Sequence, residues 1–203
     1  MAIVGGSGAG KSWLAERLHE ALGAKATRFS LDDFYRDRSN LALARRDRLN
    51  FDHPRSIAWS EVEAVLRQLR SGRPARLPGY DFVSHCRLPK TTLIRPTPVI
   101  LVDGLWLFRR PSLRRLFHLR VFLDCPRRIR MERRLARDVE TRGLSREANK
   151  KIFLTMVEPM HKKYVAPQRR WADVVLGASW GEGDIERLSC LIKASACPPH
   201  LNL

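Results

Sequence analysis

The sequence lacks the features that mark secreted, metal-stabilised and membrane-spanning proteins. Its four cysteines form no C-x-x-C pair and show no metal-ligand spacing, which argues against a disulfide framework or a zinc site and favours reduced thiols in the cytoplasm. No apolar run reaches the length of a transmembrane helix, and no signal peptide precedes residue 5. We therefore expect a cytoplasmic protein with no membrane partner.

Acidic residues are few in comparison with basic ones. The chain has 38 Lys and Arg against 21 Asp and Glu, which gives a formal net charge of +17. Such an excess favours anionic partners, nucleotides first and nucleic acid second. The length of 203 residues and the hydrophobic content of 44% predict a single domain over residues 1–197, followed by a disordered tail at 198–203.

Residues 5–12 carry the strongest motif in the chain. They read Gly-Gly-Ser-Gly-Ala-Gly-Lys-Ser, the phosphate-binding pattern Gly-x-x-x-x-Gly-Lys-Ser. Glycines let backbone N–H groups turn inward around a nucleotide β-phosphate, Lys11 brings positive charge to the phosphates, and the Ser12 hydroxyl can ligate Mg²⁺. The residues predicted to hold the nucleotide are Gly5, Gly6, Ser7, Gly8, Ala9, Gly10, Lys11 and Ser12.

Apolar segments alternate between strand-like runs and helix-like stripes. Strands are predicted at 2–4, 25–30, 98–103, 118–124 and 172–176, with a small hairpin within 79–95 made by 80–84 and 91–95. Helices are predicted after the loop, at 60–70 with a capping box from Ser60 and Glu63, from Pro126, from Ser145, and at 184–194. This order predicts an α/β protein with the P-loop NTPase fold, in which helices flank a parallel sheet and the ligand binds at the strand carboxyl ends.

Carboxylates stand at the ends of two predicted strands. Asp103 follows four apolar residues, the pattern of an acid that holds Mg²⁺ directly or through water; a turn-forming Asp before Gly104 is the alternative. Asp32 and Asp33 follow the second strand, beside the loop, where a kinase needs a carboxylate to orient the acceptor hydroxyl and accept its proton. A solvated turn acid is the alternative there. The candidate Mg²⁺ ligands are Ser12, Asp103 and Asp32.

Residues 127–146 form an arginine-rich segment that we expect to act as a helical lid. Arg134 and Arg137 lie one helical turn apart and can face the same side, and Arg142 follows next to Gly143. Arginines that close over the γ-phosphate would neutralise charge in the transition state. The arginines expected on a solvated helix face are Arg127, Arg128, Arg130 and Arg133.

In this order of motifs the chain resembles the uridine kinase (uridine–cytidine kinase) family of P-loop kinases, which is related to phosphoribulokinase. The resemblance covers nearly the whole chain, and two of its elements are far more specific than the loop. The matching segments are 5–12, Asp-Asp-Phe-Tyr at 32–35, Asn-Phe-Asp-His-Pro at 50–54, Tyr-Asp-Phe-Val-Ser-His-Cys-Arg at 80–87, Asp-Gly at 103–104, Arg-Leu-Ala-Arg-Asp at 134–138, Val-Glu-Pro at 157–159, Tyr-Val-Ala-Pro at 164–167 and Ala-Asp-Val at 172–174.

The resemblance implies phosphorylation of the 5′-hydroxyl of uridine or cytidine by ATP with Mg²⁺, in pyrimidine salvage. It implies a catalytic set of Asp32, Lys11 and Arg137, in which Asp32 is the carboxylate for the 5′-hydroxyl. It implies that Asp52 binds the ribose hydroxyls with help from Arg134, and that Arg137 and Arg142 bind the ATP phosphates. The residues implied to hold the rest of the nucleoside are Tyr35, Tyr80, Phe82 and His85, of which Tyr80 and His85 face the pyrimidine edge and Phe82 lines the base pocket.

Three positions depart from the family pattern. Asp103 stands where the family has Glu, and the shorter side chain is expected to hold Mg²⁺ through a water. Leu144 replaces an arginine, and Ile152 replaces a substrate-binding glutamine. Two alternatives therefore stay open: a P-loop kinase for another small hydroxyl substrate, such as pantothenate or a sugar phosphate, and a basic P-loop protein that binds nucleic acid. A homo-oligomer is compatible with the sequence.

Overall fold

The computed structural model describes residues 1–46, 48–142 and 145–196, and for 141, 142, 195 and 196 it describes the backbone alone. The predicted tail at 198–203 and Leu144 lie outside these residues. The strands are β1 Ala2–Gly5, β2 Ala26–Ser30, β3 Ala75–Asp81, β4 Cys86–Ile94, β5 Val99–Gly104, β6 Arg120–Leu123 and β7 Val174–Leu176. The helices are α1 Lys11–Leu22, α2 Leu43–Arg46, α3 Trp59–Arg70, α4 Pro111–Arg114, α5 Arg127–Arg142, α6 Arg146–Ile152, α7 Glu158–Met160 and α8 Glu182–Ala196.

Five strands form a parallel sheet in the order β2-β5-β1-β6-β7, and β3 and β4 form a separate antiparallel hairpin. This confirms the predicted α/β fold with a parallel sheet and a small hairpin. Because β1 is the central strand, the loop that follows it lies in the middle of the carboxyl edge of the sheet. The ends of β2 and β5 reach the same edge, so Asp32 and Asp103 are brought to the loop by topology alone.

The sheet is buried on both faces by alternating side chains. In β1, Ala2 and Val4 belong to one core cluster and Ile3 to the other, as expected for successive residues of a strand. Leu14 and Leu18 of α1 cover the Ile3 face, and Trp106 lies in the cluster on the opposite face. No helix within the described residues is long and apolar enough to cross a membrane.

Two details of the sequence prediction were wrong. Helix α3 begins at Trp59, and no side chain caps its N-terminus; Glu63 instead accepts a hydrogen bond from Ser112 Oγ at 2.9 Å, so the predicted capping box does not form. The hairpin begins several residues before 79, because β3 starts at Ala75 and crosses an irregularity around Pro78. The first part of this strand was not predicted because it contains Pro78, and proline in sheets is confined to edge strands and bulges.

A long helical segment that begins with α6 contains two wide turns. Its parts are α6, a π-helical turn at Phe153–Val157, α7, a second π-helical turn at His161–Val165, and a 3-10 turn at Ala166–Trp171. Each wide turn ends just before a proline, Pro159 or Pro167. A proline cannot donate to the helix and its ring clashes with the carbonyl four residues earlier, so the backbone widens at that point.

Candidate active site

The loop between β1 and α1 has a conformation that requires glycine. Gly8 and Gly10 have φ angles of +78° and +92°, which favour a residue without a Cβ. A Cβ on Gly8 would lie 2.2 Å from the carbonyl oxygen of Arg130. The loop is therefore packed directly on α5, and its turned backbone forms a cradle suited to phosphate groups.

Lys11 and Ser12 connect this cradle to β5. The Lys11 Nζ donates to the Gly6 carbonyl at 3.0 Å, and the Ser12 hydroxyl donates to Asp103 Oδ2 at 3.0 Å. Burial lowers the pKa of Lys11, which Asp32 and Asp103 partly counteract, and burial raises the pKa of Asp103. Asp103 is 1% exposed, and its Oδ1 has no hydrogen-bond partner within the described residues. A buried hydroxyl–carboxylate pair with an unpaired oxygen fits a Mg²⁺ ion held directly or through water.

The two acids after β2 have different local roles. The Ser30 hydroxyl accepts from the backbone N–H of Asp32 at 3.2 Å, and the Asp33 carboxylate accepts from the Ser30 N–H at 3.1 Å. These bonds form a capping box that starts the 3-10 turn Leu31–Phe34. Burial raises the pKa of Asp33 to about 6. Asp33 is thus used to cap the turn, and the side chain of Asp32 lines the cavity.

Arg134 joins the phosphate loop to the loop that carries Asp52. Its Nη1 donates to Ser7 Oγ at 2.9 Å and to Asp52 Oδ1 at 3.2 Å, and its Nε lies 3.2 Å from Asp138 Oδ2. The Arg134 side chain is 9% exposed and that of Asp52 is 13% exposed. The buried pair lies beside the cavity at the junction of the two loops.

Arg130, one turn earlier on α5, was expected on a solvated face, and this was wrong. Its side chain is 2% exposed and pairs with Glu158 at 2.8 Å. Its Nε also donates to the carbonyl of Cys125 at 3.0 Å.

The other arginines predicted on a solvated face are exposed. Arg127 and Arg128 are exposed as predicted. Arg133 is exposed too, but it lines the mouth of the cavity.

An aromatic wall closes the far end of the cavity. Tyr35 lies 5.2 Å from Tyr80 and 6.1 Å from Phe82, measured between ring centroids, and its hydroxyl donates to the Phe51 carbonyl at 3.2 Å. His85 stacks on Phe51 at 4.2 Å with the planes 14° apart. The Tyr80 hydroxyl is buried without a hydrogen-bond partner in the described part of the chain, and burial raises its pKa to about 12. A flat polar ring is the ligand that such a wall suits.

A cavity of about 550 Å³ connects these parts. Of the residues predicted for the site, Gly5, Gly6, Ala9 and Asp103 do not line it; they belong to the loop and strand ends beneath. Arg137 lines the cavity and lies 2.7 Å from Asp138. The side chain of Arg142 lies outside the described residues. The predicted residues that share the cavity are Ser7, Gly8, Gly10, Lys11, Ser12, Asp32, Tyr35, Asp52, Tyr80, Phe82, His85, Arg134 and Arg137.

Several lining residues were missed from the sequence. Trp13 is 54% exposed, lines the cavity and contacts Trp180 with ring centroids 4.6 Å apart. On the helical segment beside the cavity, Asn149 and Met156 also line it, next to Ile152, which the resemblance to the family had already placed at a substrate-binding position. Their spacing of three and four residues marks one helix face, which is the signal that could have found them.

The fold and site define a P-loop kinase, an enzyme that transfers phosphate to an alcohol group. The model of the "Phosphoribulokinase / Uridine kinase family" matches residues 1–180. A uridine kinase of Chloroflexus aggregans is 40% identical over 174 residues, with 85% of this chain and 83% of that protein covered. A uridine kinase of Deinococcus deserti is 33% identical over 195 residues, with 95% and 94% covered. The chain therefore belongs to the phosphoribulokinase/uridine kinase family.

A solved structure shares the fold. Phosphoribulokinase from Rhodobacter spheroides superimposes with a TM-score of 0.66 at 17% identity, over 87% of this chain and 68% of that one. At that level of identity the likeness concerns the fold alone. The family implies the use of ATP and, typically, of Mg²⁺.

Proposed function

We propose that the protein transfers the γ-phosphoryl group of ATP to the 5′-hydroxyl of uridine or cytidine and so makes UMP or CMP in pyrimidine salvage. The observation that carries this proposal is the bridge made by Arg134, which hydrogen-bonds Ser7 of the phosphate loop and Asp52 with one nitrogen. It fixes a carboxylate beside the phosphate cradle, in one cavity with an aromatic wall. The cavity can then hold the ATP phosphates at the loop, the ribose of the acceptor at Asp52 and its base at the aromatic wall.

Asp52 is the proposed ribose-binding group. A carboxylate can accept hydrogen bonds from two vicinal hydroxyls, and the hydrogen bond from Arg134 Nη1 to its Oδ1 fixes its position. The aromatic wall is the proposed base site. His85, stacked on Phe51, can donate or accept and so meets either O4 of uracil or the N4 amine of cytosine. The buried Tyr80 hydroxyl is the second polar group there, with Phe82 and Tyr35 packed beside it.

Asp32 is the proposed general base. With ribose at Asp52, the 5′-hydroxyl points towards the loop, where Asp32 orients it and accepts its proton. The bond from the hydroxyl oxygen to the γ-phosphorus forms as the bond from that phosphorus to the leaving ADP breaks. Asp33 is less suited to this step, because its carboxylate caps the turn. Lys11 and Arg137 offset the negative charge that shifts between the phosphate oxygens, and the side chain of Arg142 is a further candidate for this role.

The residues present fit ATP and Mg²⁺. When bound, ATP would supply the phosphoryl group and Mg²⁺ would offset part of the charge of its phosphates. Ser12 and Asp103 would hold the ion, with Asp32 near it. Within the described residues no group of three or more His, Cys, Asp or Glu could hold a metal, so phosphate oxygens and waters would complete the coordination.

The proposed reaction and the free thiols of Cys86, Cys125 and Cys190 support a cytoplasmic location for the enzyme.

A kinase acting on another small alcohol is the second candidate. Ile152 lines the cavity as an apolar residue, where the resemblance implied a glutamine, so the pocket offers one polar group fewer to a nucleoside. An acceptor with a less polar tail would suit this wall. The nucleic-acid alternative has only the net charge in its favour.

The test is ATP turnover with a panel of acceptors: uridine, cytidine, 2′-deoxyuridine, adenosine, pantothenate, ribulose 5-phosphate and RNA. We expect turnover with uridine and cytidine, and none with adenosine. Deoxyuridine should be poorer by about one to two orders of magnitude, because Asp52 keeps an unpaired oxygen. Activity with pantothenate or a sugar phosphate but no nucleoside would select the second candidate, and stimulation by RNA alone would select the third.

Asp32→Asn is the matched variant for the chemical step. Its kcat should fall about a hundredfold or more, the loss expected for a missing general base, while ATP binding persists. The side chains have nearly the same volume, so the fold should be retained. If kcat is unchanged and only the uridine KM rises, Asp32 positions the substrate and is not the base.

A further inference from the structure

Asn149 carries a buried amide that no described residue of the protein hydrogen-bonds. The residue is 0% exposed. Neither its Nδ2 nor its Oδ1 has a hydrogen-bond partner within the described residues. Buried side-chain amides in native proteins are almost always paired, and each exception calls for an explanation. Asn149 also lines the cavity that contains Asp32 and Asp52. A ligand that enters this cavity can supply the missing partner.

The described residues around Asn149 are mostly apolar or already paired. The next residues on the same helix face, Ile152 and Met156, are apolar and line the same cavity. Arg134 lines the same cavity, but its nitrogens already engage Ser7, Asp52 and Asp138. The amide is therefore part of a wall that is otherwise apolar on its own helix.

The charge of the lining residues differs between the part of the cavity that would hold ATP and the part that would hold the acceptor. The groups that can face phosphates are cationic: Lys11, Arg133 and Arg137. Asn149 lies in a neutral wall with two apolar neighbours, which suits a neutral molecule with a polar edge. An amide offers two donors and one acceptor carbonyl, so it matches a nucleoside, which carries hydroxyls, ring carbonyls and amines.

We propose that Asn149 is a specificity-determining residue that hydrogen-bonds the bound nucleoside, which rests on the proposed function. Without a ligand the amide is buried and has no partner among the residues that the structure describes. When the nucleoside binds, the amide gains its hydrogen bond, so part of the acceptor's affinity comes from relieving this unpaired group. The residue acts in acceptor binding and not in phosphate transfer.

The test compares the wild-type protein with Asn149→Leu, which is close in volume and cannot hydrogen-bond. KM and kcat are measured separately for uridine and for ATP, and the melting temperature is measured without ligands. We expect the uridine KM to rise about tenfold or more and the ATP KM to change less than twofold. The melting temperature of the empty variant should rise, because an unpaired buried amide has been removed.

Ser189→Ala is the matched control. Ser189 is 5% exposed in α8, and its hydroxyl is also buried without a partner in the described part of the chain, but it does not line the cavity. Its removal should leave the KM for uridine and for ATP unchanged. The two variants thus remove the same kind of unpaired group, one inside the site and one outside it.

Each other result overturns the inference in a recognisable way. An unchanged uridine KM in an active Asn149→Leu protein shows that the amide does not touch the acceptor. A raised ATP KM with a normal uridine KM assigns the amide to the donor. A lower melting temperature of the empty variant shows that the amide has a structural partner. A wild-type protein that phosphorylates neither uridine nor cytidine overturns the proposed function, and this inference with it.

Discussion

Arg130 and Arg134 lie one turn apart on α5, and both are buried beside acids, yet their surroundings differ. Arg130 pairs with Glu158 at 2.8 Å and donates to the Cys125 carbonyl, and it does not line the cavity. Arg134 contacts Ser7 and Asp52 and does line it. Arg130 therefore joins α5 to Glu158 beneath the phosphate loop, which packs on it at Gly8. Arg134 instead joins the loop to Asp52, the proposed ribose-binding residue.

The difference shows how one helix can serve the fold and the site together. A row of arginines at a spacing of four residues places successive side chains along the same face. The partner of each arginine then depends on what lies opposite: the helix that carries Glu158 for Arg130, and the loop that carries Asp52 for Arg134. Charge alone does not distinguish the two residues.

The largest effect is expected from Arg130→Met. The substitution leaves Glu158 buried and unpaired, and breaking a buried pair in this way costs about 3–5 kcal/mol of folding free energy. Chemical unfolding should show this loss. Arg130→Met combined with Glu158→Leu should recover most of it, because two apolar side chains can replace a buried ion pair. A single mutant as stable as the wild-type protein would show that Arg130 does not support the loop.

A smaller effect, on catalysis, is expected from Arg134→Lys. Lysine keeps the charge but cannot reproduce the planar guanidinium that reaches Ser7, Asp52 and Asp138 together. The value of kcat/KM for uridine should fall about a hundredfold, with a smaller loss of stability than in Arg130→Met. Steady-state kinetics and thermal unfolding of both variants, measured in parallel, check this. Equal losses of stability with normal kinetics would remove the distinction between the two arginines.

The smallest effect is expected from His161, near Arg130, whose contribution to the stability of the protein should be lost at acid pH. His161 lies against the loop, since a Cβ on Gly6 would be 2.8 Å from its Nδ1. Burial lowers the pKa of His161 to about 4, and the charge of Arg130 acts in the same direction. The unfolded chain, with a histidine pKa of about 6.5, then binds the proton first as the pH falls. The stability contributed by neutral His161 is present above pH 6.5 and is lost towards pH 4.

The measurement for this site is the stability of the wild-type protein and of His161→Gln at pH 7 and pH 5. Between these values the wild-type protein should lose about 2 kcal/mol more than the variant, since a pKa unit corresponds to about 1.4 kcal/mol. Asp33, which titrates near pH 6 in the opposite sense, contributes equally to both proteins and cancels. Parallel pH profiles would mean that His161 is not held neutral.

The sequence predicts the parts of the site that depend on local pattern. The loop at 5–12 has fixed spacing, and the apolar run before Asp103 marks a buried strand, so their meeting at one sheet edge follows from the fold class. Asp32 was predicted in the same way. The parts that resemble the uridine kinase family, such as Asp52 and His85, were placed by motif, and the structure brings them into one cavity.

The residues that were predicted wrongly or missed are those whose surroundings depend on contacts between distant segments of the chain. Arg130 looks like any arginine of a charged helix, because Glu158 lies 28 residues further along the chain. Asn149 is polar and close to a helix start, where a solvated residue is the usual expectation, and only the packing of α6 against α5 and the cavity buries it. The predicted cap at Ser60 failed because the helix begins one residue earlier.

The position of the phosphate on the product is the most direct test of the account. The wild-type protein is incubated with uridine, ATP and Mg²⁺, and the product is examined by phosphorus–proton NMR. If Asp52 and Arg134 hold the ribose hydroxyls and Asp32 faces the loop, the phosphorus of the product made from uridine couples to the 5′-methylene protons, and uridine 5′-monophosphate and ADP are the only products. Phosphate on the 2′- or 3′-hydroxyl, or no phosphorylation of uridine and cytidine by an ATP-binding protein, would contradict the account.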